Sequence, residues 1–294
     1  MGPAASVDKV GMAAIIIGTS FIAWSGILVR FADVGPLTSA AWRMIIAVPA
    51  LYAWSRVLSN RRDTAGTSKP IRFSVLVLPL IAAGVAFASD VASFHFSLSG
   101  TSVANASFIG NISSIVAVVG GALFFAEHPD RRVWGALMLA LAGSWVMAGM
   151  LTPQNLAPGD LWALSAAMSY AAYLLVIKRL RVVLDGPAAT MWSAVVTAIV
   201  LTAAALWFEP VFFPQTVVGW FAVLALGIGS HALGQGLTSI AIGRVPVGII
   251  AVIWFAQPPV STLLAWLVLG EAIDAYQIAG GAIIMVALVL ARPR

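Results

Sequence analysis

Residues 101–124, TSVANASFIGNISSIVAVVGGALF, contain no charged side chain, and only Phe125 and Ala126 separate them from the polar run Glu127-His128-Pro129-Asp130-Arg131-Arg132. At about 1.5 Å of rise per residue this stretch spans about 36 Å as a helix, more than the roughly 30 Å of a bilayer's hydrocarbon core. Similar apolar stretches lie at 10–30, 38–58, 73–95, 131–150, 160–178, 189–208, 217–241, 247–269 and 275–291. Short polar or helix-breaking segments separate them: Gly35-Pro36, Ser59 to Pro70, Thr152 to Asp160, Asp185-Gly186-Pro187 and Glu209 to Thr216. None is long enough to hold a soluble domain. The pattern predicts an all-α integral membrane protein with ten transmembrane helices.

Composition points the same way. Of 294 residues, 61% are hydrophobic and 9% charged, with a mean hydropathy of +0.99, whereas soluble domains carry roughly 25% charge. So much apolar surface needs lipid as its solvent. The formal net charge is +5, but the basic residues form no continuous patch, so no nucleic-acid partner is expected. They mark topology instead. With the N-terminus in the cytoplasm, Lys9, Arg56, Arg61, Arg62, Lys69, Arg72, Arg131, Arg132, Lys178, Arg179, Arg181, Arg244, Arg292 and Arg294 all fall inside, and only Arg30 and Arg43 fall at outer helix ends. Both termini are therefore expected in the cytoplasm. Residues 1–9 lack the cleavage signature of a signal peptide, so the first helix is expected to be retained. Cysteine is absent, which removes disulfides and thiol chemistry from consideration.

The two halves echo each other. Arg30, Gly35 and Pro36 recur at an offset of 151 as Arg181, Gly186 and Pro187, and Glu127 and Asp130 recur at an offset of 144 as Glu271 and Asp274. Residues 1–150 and 151–294 then form two five-helix repeats. Because five is odd, the second repeat enters the membrane inverted, an arrangement typical of secondary transporters, with a central cavity between the halves.

Polar groups inside hydrocarbon are costly unless they pair or line a pathway. Asp90 lies one helical turn from Ala86 and Phe94, with His95 and Ser97 beyond it, and Asn105, Phe108, Asn111 and Ile112 form a stripe behind Thr101-Ser102. The other half contributes His231 and Gln235, then Trp254 and Gln257 before Pro258-Pro259; Trp24 with Ser20, and Tyr170 with Tyr173, come from the first helix of each half. Together these residues can line an aromatic cavity with a few hydrogen-bonding groups, suited to a small amphipathic solute.

Each has a structural alternative. Asp90 fits an interfacial or pairing role, the asparagines fit interhelical hydrogen bonding, and the aromatic residues fit ordinary packing. Arg43 fits snorkelling, pairing with Asp33 or contact with an anion. Gly120-Gly121 and Gly280-Gly281 suit close helix contacts, while Pro258 and Pro259 can interrupt a helix and shape or gate the pathway. No phosphate-binding loop and no H-E-x-x-H signature is present, and His95, His128 and His231 are isolated. No catalytic residue, cofactor or metal is expected, and an enzyme is not.

Ser99-Gly100-Thr101-Ser102-Val103-Ala104 leading into the fourth helix, Glu127 and Asp130 after it, Trp134-Gly135, and the echo Glu271, Asp274 and Gly280-Gly281 make the chain resemble the drug/metabolite transporter superfamily, in its ten-helix branch of two EamA-type repeats. Within it the chain is similar to bacterial exporters of aromatic and other amino acids. The resemblance implies a basket-like bundle whose cavity is formed by helices 1, 3, 4, 6, 8 and 9. It also implies location in the bacterial inner membrane and export of amino acids or related metabolites by alternating access. A monomer surrounded by membrane lipids suffices for such a mechanism. Glu127 and Glu271 read as structural or gating elements. The alternative reading is a broader exporter of amphipathic drugs, cations or nucleotide-like metabolites.

Overall fold

The computed structural model describes residues 8–63, 73–98, 100–101, 103–149 and 157–292, with the side chains of 59–63, 73, 98, 103–105 and 107 outside that description. Lys69, Arg72, Ser99, Ser102 and Arg294 lie outside the described residues, as do the side chains of Arg61, Arg62 and Asn105.

The described elements are all helical: α1 Lys9–Ala23, α2 Ser25–Phe31, α3 Pro36–Asp63, α4 Phe73–Leu98, α5 Val103–Gly110, α6 Ile112–Phe125, α7 Arg131–Met147, α8 Pro158–Leu180, α9 Gly186–Phe208, α10 Val217–Ala225, a π-helical stretch Leu226–Gln235, α11 Gly236–Ile242, α12 Val247–Trp254, α13 Gln257–Leu269 and α14 Ala275–Leu290. Among the described residues, seven helical runs are long and apolar enough to cross a membrane, and Ala275–Leu290 is a shorter apolar helix.

Polar residues start these helices by satisfying first-turn amides. Asp8 accepts from the Gly11 N–H, Asp130 from Val133, Asp185 from Ala188 and Asp274 from Gln277, at 2.7–2.9 Å; Thr216 accepts from Gly219. Their outer faces carry large exposed apolar side chains, among them Leu78, Leu123 and Leu161 at 74–75% exposure, as a lipid-solvated surface requires.

Three runs that the hydrophobic pattern predicts as continuous are interrupted at mid-length: at Trp24 between α1 and α2, at Asn111 between α5 and α6, and at Phe255-Ala256 between α12 and α13. Pro258 and Pro259 sit in the first turn of α13, where their missing N–H groups leave the preceding ladder open. Carbonyls near the first break are taken up by neighbouring hydroxyls: Ser261 donates to the Ala23 carbonyl at 2.8 Å and Ser230 to that of Phe21 at 3.2 Å. The π-helical stretch, LGIGSHALGQ, relaxes a fourth run.

The helices pack mainly across the sequence midpoint. α4 lies along α8 and α9, α3 along α9 and the π stretch, α7 along α14, and α1 along the π stretch and α11, while α6 touches both α8 and α12. At the α7–α14 crossing Gly143 and Gly280 let the backbones approach so closely that a Cβ on Gly280 would meet the Gly143 carbonyl.

Candidate functional site

Four elements converge on an aromatic cluster in the middle of the bundle. Phe87 on α4 lies 4.7 Å from Tyr173 and 5.3 Å from the His231 ring, centroid to centroid. Tyr170 stacks on Tyr173 at 6.0 Å and on Trp254 at 5.0 Å. The Gln235 amide donates to the Tyr170 hydroxyl at 3.2 Å. Helical spacing explains the grouping: Tyr170 with Tyr173, and His231 with Gln235, are each one turn apart and share a face.

Two cluster members carry buried polar atoms that make no hydrogen bond, both ring nitrogens of His231 and Nε1 of Trp254, and so does Nε of Arg43, which acts electrostatically on Tyr170 and Tyr173. Buried polar groups are paired in the great majority of structures, so these atoms keep hydrogen-bonding capacity for a solute or water.

Asp90 and Arg43 lie within each other's electrostatic field and that of Tyr170 and Tyr173. Asp90 shares a helical face with Phe87, three residues earlier. Arg43 does not pair with Asp33. The Asp33 carboxylate instead accepts from the Gln215 and Thr216 amides at 3.0 and 2.6 Å, and the Thr216 hydroxyl together with these amides holds it below the usual carboxylate range.

The other predicted residues fall elsewhere. Asn111 donates to the Ser144 hydroxyl at 2.6 Å and Phe108 meets Trp145 edge-on at 5.0 Å, so both engage α7 and not the cluster. Asn105 belongs to α5, and its side chain lies outside the described residues. Trp24 occupies the α1–α2 break and is 37% exposed, and Gln257 opens α13.

Glu127 and Glu271 stand at two helix ends of matching construction. Each follows a left-handed residue, Ala126 at φ 53° and Gly270 at φ 69°, and each precedes an aspartate N-cap. The Glu127 amide bonds to the Gly121 carbonyl and the Glu271 amide to that of Ala265. Glu127 pairs with Lys178 and accepts from the Val247 N–H at 3.0 Å, whereas Glu271 pairs with Arg30. A cavity of about 370 Å³ opens beside Glu127, lined by Lys178, Arg181, Arg244 and Pro246 among others.

One contact that the sequence reading missed is Glu209. Its carboxylate accepts from the Leu37 and Thr38 amides at 2.8 and 2.9 Å and so caps α3 from the far end of α9. A glutamate in a long loop gave no signal of a partner 172 positions away.

Comparison with known proteins adds a family and a fold. The model of the EamA-like transporter family matches residues 9–149 and again residues 157–292. The pseudopaline exporter CntI of Pseudomonas aeruginosa (strain UCBPP-PA14) is 24% identical over 210 residues, 71% of this chain and 73% of that protein. The uncharacterized transporter YwfM of Bacillus subtilis (strain 168) is 25% identical over 269 residues, 88% of this chain and 86% of the other. A solved crystal structure of a protein superposes with a TM-score of 0.78 at 21% identity, covering 95% of this chain and 98% of that one, a likeness of fold.

Proposed function

The chain belongs to the EamA-like transporter family, and from that premise we propose that it exports aromatic and other small amino acids, or related metabolites, across the bacterial inner membrane by alternating access. The observation that carries this reading is the central cluster of Phe87, Tyr170, Tyr173 and Trp254 with unpaired polar atoms in it and beside it. Such a lining receives an apolar side chain and retains hydrogen-bonding capacity for a polar end. In this reading Asp90, His231, Gln235, Tyr170, Tyr173, Trp254 and Gln257 line the pathway.

Ten crossings with cytoplasmic termini, in two inverted repeats divided near residue 150, give this mechanism its scaffold. Two features support the inverted arrangement. The helix-end construction at Glu127 returns at Glu271 with the same backbone hydrogen bond 144 residues on. The packing also keeps its pattern when the halves are exchanged: the contact of α4 with α8 then corresponds to that of α1 with the π stretch and α11, and the contact of α6 with α8 to that of α1 with α12 and α13. A two-fold scaffold of this kind can open one site first to one side and then to the other.

The test is uptake of radiolabelled phenylalanine, tryptophan, methionine and threonine into liposomes holding the purified protein, with and without a pH gradient. Saturable uptake is expected. Uptake no greater than in protein-free liposomes, with a folded preparation, would overturn the amino-acid reading in favour of a drug or metabolite exporter.

A further inference from the structure

Resting on the amino-acid reading above, we propose that Arg43 and Asp90 form a charge clamp for an amphoteric solute, Arg43 holding its carboxylate and Asp90 its ammonium group. Arg43 lies about 10 Å inside the start of α3 and Asp90 about 12 Å inside the end of α4 at 1.5 Å per residue, so the two sit at one depth of the bundle. Each acts on the other electrostatically, yet among the described residues neither makes a hydrogen bond or an ion pair, and the Arg43 Nε is buried without a partner. Both residues are half-buried.

An unpaired guanidinium and an unpaired carboxyl group inside a membrane bundle are each costly, whichever protonation state the second takes without a solute. A solute with one charge relieves only one of them. A zwitterion relieves both, with the planar guanidinium suited to two parallel bonds to a carboxylate and the aspartate suited to accept from an ammonium group. The aromatic residues then set what hangs below the charged head. Phe87, on the same face as Asp90, leads to Tyr173 and His231, and Tyr170 continues to Trp254. A side chain directed from the clamp along this line meets ring faces, which favours aromatic and large apolar amino acids over small ones.

The probes are phenylalanine, phenylalanine amide, which keeps only the ammonium group, and 3-phenylpropanoate, which keeps only the carboxylate. Equilibrium binding to the purified full chain is expected to favour phenylalanine over either analogue by about ten- to a hundredfold, the range for one charge-assisted hydrogen bond. Arg43→Gln is expected to erase the preference over the amide, with partial recovery in Arg43→Lys, and Asp90→Asn the preference over 3-phenylpropanoate. The analogue series on the unaltered protein stands even where a variant fails to fold. Saturable phenylalanine flux without discrimination among the three probes would overturn the clamp and leave the transport reading intact. Selective binding without flux would uphold the clamp and overturn the transport reading, and absence of phenylalanine binding would overturn both.

Discussion

At one end of the bundle the Glu127–Lys178 pair is held in packing, with side chains 29% and 11% exposed; at the other the Glu271–Arg30 pair stands open, with side chains 47% and 56% exposed. The helices behind them differ in the same sense. α12, on the Glu127 side of its break, buries every residue but Ile249, whereas α13, on the Glu271 side, buries none. Within the first run the two glycines differ in the same way: a Cβ on Gly18 in α1 would meet the Gly234 carbonyl at 2.8 Å, while one on Gly26 in α2 would find nothing within 4 Å. Similar local sequence thus builds a more buried ion pair at one end and a more exposed one at the other. What separates them is packing between helices, which is the variable to be exchanged in the alternating-access mechanism proposed above.

The largest expected effect comes from removing the more buried pair. Glu127→Gln leaves Lys178 without its partner and weakens the acceptor for the Val247 amide. The expected loss of stability in denaturant unfolding is about 2 kcal/mol or more, below the full cost for a buried pair because Glu127 keeps some exposure. Equal losses for Glu127→Gln and Glu271→Gln would break the comparison. Overpacking is next: Gly18→Val is expected to cost about 1–3 kcal/mol, with Gly26→Val near neutral in the same assay.

The left-handed caps give a finer contrast. Ala126 carries a Cβ at φ 53°, and Gly270 has none at φ 69°. Ala126→Gly should raise the midpoint of unfolding by the equivalent of about 1 kcal/mol, and Gly270→Ala should lower it by a similar amount. Glu271→Gln at the exposed pair should cost under about 1 kcal/mol and show little further loss in high salt.

Acid should distinguish the ends least. The Gly11 amide and Arg244 hold Asp8 below the ordinary aspartate value of 3.8, and Thr216 does the same for Asp33. A depressed carboxylate stabilises the fold above that value and loses its contribution as pH falls below it. Unfolding followed from pH 6 down to pH 3 should therefore show a late loss, smaller in Asp8→Asn and Asp33→Asn.

The apolar helical character was legible because lipid imposes long apolar runs, and the gaps were marked by punctuation such as Glu127-His128-Pro129-Asp130 and Asp185-Gly186-Pro187. The recurrence of Glu127 and Asp130 as Glu271 and Asp274 also marked the matching helix ends. The breaks at Trp24 and Asn111 were not legible, since neither stands beside a proline and the hydrophobic pattern runs through them. Facing was legible only in part. The turn-spaced pairs Tyr170–Tyr173 and His231–Gln235 do share faces in the cluster, but Phe108 and Asn111, spaced equally well, turn to Trp145 and Ser144. Periodicity defines a stripe on a helix, and the neighbouring helix decides where that stripe points. Arg43 was ambiguous for a related reason: its nearest acidic residue in sequence, Asp33, is taken up by the Gln215 and Thr216 amides.

The most direct test uses the natural absence of cysteine. Single cysteines placed by Val247→Cys on the side of the more buried pair and Gln257→Cys on the side of the more exposed pair would be labelled with an impermeant maleimide in the purified, lipid-reconstituted protein. Without substrate the label should enter rapidly at position 257 and slowly at 247, and saturating phenylalanine should slow the first and speed the second. Rates at both positions that ignore phenylalanine, or faster labelling at 247 in its absence, would contradict the account.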